Sequence, residues 1–137
     1  MKDAFQTIVE IFSEAPMCFL ATSNDDKPHL WPFQFQFEED GKIWFCTAKS
    51  KTVFKQMQAN PYIEICAVKP NTTAVRLSTK AQLEDNRAVK ERILADQPLI
   101  RDIYGSADNQ NFTCFCVEHG RYVIFDLYGN PPREGSI

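Results

Sequence analysis

Nine consecutive residues, 29–37 (HLWPFQFQF), alternate almost without a break. His29, Trp31, Phe33, Phe35 and Phe37 fall on one face. Leu30, Pro32, Gln34 and Gln36 fall on the other. A period of two is the mark of a strand with two different environments. The run therefore predicts one long strand, and its neighbours extend the pattern into a unit. Before it, the apolar run 18–22 stops at a polar turn over 23–27. After it, Glu39, Asp40 and Gly41 make a tight hairpin turn, and 43–47 returns as a strand. Residues 48–52 lead into a helix over 53–59. Asn60-Pro61 ends that helix, because the residue before a proline avoids the helical region.

The remaining chain continues in the same style. Residues 3–14 carry Phe5, Ile8, Val9 and Phe12 at helical spacing, and Pro16 closes that helix. Residues 63–68 read as a strand and 69–72 as a turn. Residues 73–83 alternate again, with Val75, Leu77, Thr79, Ala81 and Leu83 on one side. A helix over 84–95, capped by Asp85 or Asn86, precedes a break at Pro98 and a helical turn over 99–104. Two more strands, 111–118 and 121–127, are joined at His119-Gly120. The Pro/Gly-rich tail, 129–137, is expected to be mobile or laid on a partner. The count of six or seven strands and three or four helices, joined mainly by hairpins, predicts a mainly β (α+β) fold. A closed or split antiparallel β-barrel with peripheral helices fits best, with residues 1–137 as a single domain.

Composition narrows the function. At 137 residues and 44% hydrophobic, the chain buries a real core. A net charge of -3 and the lack of a basic patch argue against nucleic acid as a partner. The apolar runs fall short of the roughly 20 residues that span a membrane, and the N-terminus carries acids within its apolar pattern, unlike a signal peptide. The expected location is cytoplasmic. Five cysteines, an odd number set in strand-like runs, read as reduced core thiols. Cys114, Cys116 and His119 lack a fourth metal ligand and a C-x-x-C pattern, so no metal site is expected.

No nucleophile elbow, P-loop, dinucleotide fingerprint or zinc-protease motif occurs. Chemistry in such a chain falls to a cofactor. The cluster Thr47-Ala48-Lys49-Ser50-Lys51-Thr52 sits between a strand end and a helix start. Free N–H groups there favour an anion, and Thr47, Ser50, Thr52 and Lys51 add hydroxyls and charge. An ordinary N-cap by Ser50 or Thr52 explains the same residues equally well.

The ordered set of Phe19-Leu20-Ala21-Thr22, Pro28 with Pro32-Phe33, the hairpin Asp40-Gly41-Lys42-Ile43-Trp44-Phe45 with Thr47, Asn60-Pro61, and Arg76-Leu77-Ser78-Thr79-Lys80-Ala81 resembles the pyridoxamine 5′-phosphate oxidase-like family of FMN-binding split barrels. The resemblance covers nearly the whole chain. It implies a homodimer with FMN at the subunit interface and a small-molecule substrate or electron acceptor. It also implies that the phosphate lies near residues 47–52. The cofactor residues it points to are Trp31, Pro32, Phe33 and Gln34 along the ring, Thr47, Ser50, Lys51 and Thr52 at the phosphate, and Arg76 one strand over. Gln36 is a further candidate for the ring edge. The family pattern often has arginine where Trp31 stands, Ser-Lys where Thr52-Val53 stands, and glycine where Thr79 stands. The function implied is an FMN-dependent oxidoreductase. The alternatives are a flavin- or heme-binding module without turnover, and a barrel without a ligand.

Overall fold

The structure, a computed structural model, describes residues 3–137; Met1 and Lys2, counted in the single domain expected above, lie outside the described residues. Helix α1 (Ala4–Glu14) starts at Asp3, whose carboxylate accepts the Gln6 N–H at 2.8 Å. It buries Ile8, Ile11 and Phe12. Strands β1 (Met17–Asn24) and β2 (Lys27–Gln34) follow as a hairpin. Its turn residues Asp25 and Asp26 have φ of 53° and 60°, the positive pair that matches strand twist. Strands β3 (Phe37–Glu39) and β4 (Lys42–Ala48) turn the same way at Asp40 and Gly41, with φ of 54° and 79°.

Helix α2 (Thr52–Ala59) then leads to β5 (Tyr62–Val68), β6 (Ala74–Lys80) and the short β7 (Gln82–Leu83). Helix α3 (Arg87–Asp96) is capped by Asn86, which accepts the Val89 N–H at 3.1 Å, and α4 (Pro98–Tyr104) follows at once. Strands β8 (Phe112–Val117), β9 (Gly120–Phe125) and β10 (Arg133–Ser136) complete the chain. All pairings are antiparallel. One sheet runs β10-β9-β6-β5-β1-β2 and the other β3-β4-β8-β7.

Four expectations change. The run 29–37 is not one strand. At Phe35 and Gln36 the backbone leaves the six-stranded sheet, with the Phe35 N–H on Pro16 O (2.7 Å) and the Gln36 N–H on Trp44 O (3.0 Å). The aromatic face is split accordingly. Phe33 and Phe35 enter the core between the sheets, while Phe37 packs with Trp44, Val89 and Ile93 beneath α3. The run 73–83 crosses in the same way at Ala81, whose N–H goes to Pro61 O at 2.8 Å. His119-Gly120 is likewise a crossing and not a hairpin, because β8 pairs with β4 whereas β9 pairs with β6. Side-chain alternation carries through the first two crossings, and all six residues of β8 before the third are buried, so burial marks none of them. The tail is not loose: residues 133–136 pair with β9, and Ile137 and Gly120 exchange backbone hydrogen bonds.

Gly120 sits where β9 meets β6 most closely. A Cβ there would stand 2.3 Å from Ser78 O and 3.0 Å from Thr79 Cβ. Backbone cannot yield as a side chain does, so Gly120→Ala is expected to cost about 1–3 kcal/mol. Urea unfolding measures it; an unchanged midpoint would mean the two strands part freely.

Candidate functional site

A cleft of about 540 Å³ opens between the end of β2 and the start of α2. Trp31, Pro32, Phe33 and Gln34 line one wall; Ser50, Lys51, Thr52 and Val53 line the other, and Cys46 of β4 completes it. The crossover at Phe35 ends β2 at Gln34, so the strand presents its last four residues there. The β4–α2 loop is held by Asn111, whose backbone and side-chain oxygens accept the N–H groups of Lys49 (2.8 Å) and Ser50 (2.9 Å).

The N-terminus of α2 is unusual. Its N-cap is Lys51, in extended conformation and with no side-chain hydrogen bond to the helix. Neither Ser50 nor Thr52 caps it. The first-turn N–H groups therefore have no side-chain acceptor, and a cation stands at the positive end of the helix dipole, where it is unfavourable. Among the described residues Lys51 has no ion pair, whereas its neighbour Lys49 is paired with Asp85 at 3.1 Å. No carboxylate lines the cleft. The donor set of N–H groups, two hydroxyls and an ammonium suits a phosphate dianion. A flat ring system suits the wall from Trp31 to Gln34, with the Gln34 amide at its edge. FMN combines both groups, so the residues present fit it.

Seven of the residues singled out from sequence thus meet in one place: Trp31, Pro32, Phe33, Gln34, Ser50, Lys51 and Thr52. Thr47 and Arg76 do not join them. Thr47 is 2% exposed, on the opposite face of β4 from Cys46, and its Oγ1 has no hydrogen-bond partner. Arg76 lies on the outer face of β6 and pairs with Glu64 at 3.0 Å. Two strands, β5 and β1, separate β6 from β2, so Arg76 is not one strand over. Gln36 donates to Gln34 O at 3.2 Å and does not line the cleft. Sequence reasoning missed Cys46 and Val53. Strand parity was the available signal for Cys46, since adjacent residues of β4 face opposite ways and only one of Cys46 and Thr47 can face the cleft.

Burial pushes the Cys46 thiol up to about 12, with the neighbouring Cys114 adding to the effect and Lys51 opposing it. Cys46 is thus protonated at neutral pH and offers no nucleophile. Trp31 is spoken for on its polar edge: its indole N–H donates to Thr22 Oγ1 (3.1 Å) and Gln56 Oε1 (3.2 Å). His29 stacks on the Trp31 ring at 6.4 Å. A second hollow, about 590 Å³, lies across the six-stranded sheet between Tyr62, Lys80 and Arg121. Those side chains are exposed, and no uncapped helix end opens into it.

The sequence profile described as "Pyridoxamine 5'-phosphate oxidase" matches residues 3–123. The chain belongs to the pyridoxamine 5′-phosphate oxidase family. Solved structures of that fold superpose over almost its full length. A "nimc/nima family protein" from Clostridium acetobutylicum is 28% identical, with a TM-score of 0.87 over 97% of this chain and 92% of the other. A "pyridoxamine 5'-phosphate oxidase-related, FMN binding protein" from Nostoc punctiforme PCC 73102 is 16% identical, with a TM-score of 0.66 over 98% and 89%. A "heme binding protein" from Mycobacterium smegmatis is 17% identical, with a TM-score of 0.77 over 100% of this chain and 58% of the other. None of the curated proteins matches. The fold of this family member is therefore the α+β split barrel that the sequence predicts. None of its described helices is long and apolar enough to cross a membrane.

Proposed function

We propose that this family member binds FMN in the cleft between β2 and α2 and acts as an oxidoreductase on a small molecule, working as a homodimer in the reducing cytoplasm. The observation that carries the reading is the uncapped, cation-bearing N-terminus of α2 in a cleft without carboxylates. An anion there satisfies N–H groups that the chain itself leaves open. Ser50 and Thr52 donate through their hydroxyls and Lys51 supplies charge. The β2 wall holds the ring edge through Gln34 and backbone groups, while Trp31 and Phe33 exclude water from it. When bound, FMN would supply hydride or electron transfer, chemistry that no side chain lining the cleft can supply.

The outer face of the six-stranded sheet supports the dimer. Met17, Phe19, Leu30, Tyr62 and Val68 lie on that face and are each more than half exposed. Exposed apolar side chains gathered on one face mark an interaction surface, and the Arg76–Glu64 pair stands among them. The five thiols are all unpaired, as a reducing compartment would leave them.

The test is an absorbance spectrum of the purified protein before and after incubation with FMN and desalting. Retained flavin bands are the expected result. A Soret-type band would favour heme, and a spectrum that FMN leaves unchanged would overturn the flavin reading. In a titration, Lys51→Ala is expected to weaken FMN binding about 10- to 100-fold, the worth of one charge-assisted contact. Thr47→Val, outside the cleft, should leave the affinity within about twofold.

A further inference from the structure

Behind the cleft, three polar groups meet inside the wall. Thr22 is 2% exposed and Gln56 9%, and neither lines the cleft. The Thr22 hydroxyl donates to Gln56 Oε1 at 2.6 Å, and the Trp31 indole N–H donates to both partners. Each of these three bonds joins a different pair of elements: Thr22 is on β1, Trp31 on β2 and Gln56 on α2. The same contact is reinforced from outside. Asn24 donates to Gln56 O at 3.2 Å, and Asn60, at the end of α2, donates to Ser23 O at 2.9 Å.

We infer that Thr22 and Gln56 are positioning residues that set the distance between the two walls of the cleft. The inference rests on the FMN reading above. Gln56 lies one helical turn after Thr52, on a helix that Val53 and Met57 anchor in the core, so its side-chain bonds set where the N-terminus of α2 sits relative to β2. Trp31 sits among the four β2 residues of the opposite wall, so its N–H bonds hold that wall to the same point. A ligand with an anionic end and a flat end gains from both walls only when their spacing is preset, because otherwise each contact must order the site as it forms. Buried polar nodes that are fully paired define one geometry where an apolar contact would permit several. The node also explains how the site works with Trp31 in place of a cation. With its N–H spent internally, the Trp31 indole offers the phosphate nothing, and the preference for a phosphorylated ligand depends on where α2 is held.

The experiment compares FMN with riboflavin, which shares the ring and lacks the phosphate, by quenching of flavin fluorescence in wild type, Gln56→Leu and Thr22→Val. Wild type is expected to prefer FMN by about 10- to 100-fold. In Gln56→Leu that preference should fall about tenfold or more toward parity, with riboflavin affinity changed by about twofold at most. Thr22→Val, which removes one hydroxyl with little change in shape, should shift the preference in the same direction and serves if Gln56→Leu does not fold. A Gln56→Leu protein that melts earlier but keeps the full FMN preference would overturn the inference and leave the FMN reading standing. A wild type that binds neither flavin would overturn both.

Discussion

Truncating Phe45 to alanine is expected to remove about 3–5 kcal/mol of stability, the range for emptying a fully enclosed aromatic site. Phe45 is 0% exposed and stands where the two sheets meet. Its ring stacks on Phe115 of β8 at 5.4 Å and meets Phe12, Phe33 and Phe35 edge-on at 6.2, 6.2 and 6.4 Å. Those neighbours come from α1, β2 and the crossover after it, so the cavity would loosen every element around the barrel at once. Aromatic pairs also lose geometry-dependent attraction beyond buried area. For a chain of this length the melting temperature should drop by roughly 10–15 °C. Urea unfolding with an unchanged slope checks the free energy. A loss below about 1 kcal/mol would show that the site collapses freely.

The second large effect is alkaline destabilisation. Burial pushes the Cys18 and Cys116 thiols up to about 12 and Cys114 up to about 11, from an ordinary value of 9.0. All three are at most 1% exposed. The sign follows from proton counting. Below pH 9 the thiols are protonated in both folded and unfolded chains and cost nothing. As pH rises past 9, the unfolded thiols ionise while the folded ones keep their protons, so the unfolded state gains. Each contributes about 1.4 kcal/mol per pH unit until its folded value is reached. Together with Cys46, raised likewise, they should make stability fall steadily as pH rises from 9 to 11. Urea midpoints across that window read the slope, and a flat profile would mean the thiols ionise as easily folded as unfolded. The same burial predicts that thiol reagents at neutral pH reach these cysteines only after unfolding.

Stability and function divide along the same boundary. Phe33 lines the cleft and also packs edge-on against Phe45 and Phe115, at 6.2 and 5.4 Å. The wall from Trp31 to Gln34 is therefore the outer surface of the rigid core, and the opposite wall is the start of helix α2. That helix is itself anchored in the core by Val53 and Met57, and the Gln56 bonds add a polar link to β1 and β2.

What the sequence by itself determined was local. The helical stripe of α1, the Asp40-Gly41 turn, the stop at Asn60-Pro61 and the Asn86 cap each depend on residues a few positions apart, and each stands where the pattern puts it. The anion-friendly cluster after β4 was legible for the same reason. Tertiary structure alone decided where strands change sheets, because alternation is identical on both sides of Phe35 and Ala81 and only the backbone partners differ. It made an edge strand of Arg133–Ser136, whose ladder bonds need no apolar side chains. It turned Thr47 inward and Cys46 toward the cleft, placed Arg76 on the far face of the sheet, and joined the indole N–H of Trp31 to a glutamine 25 residues away. Contacts of that reach follow from which surfaces the fold brings together, and no short pattern encodes them.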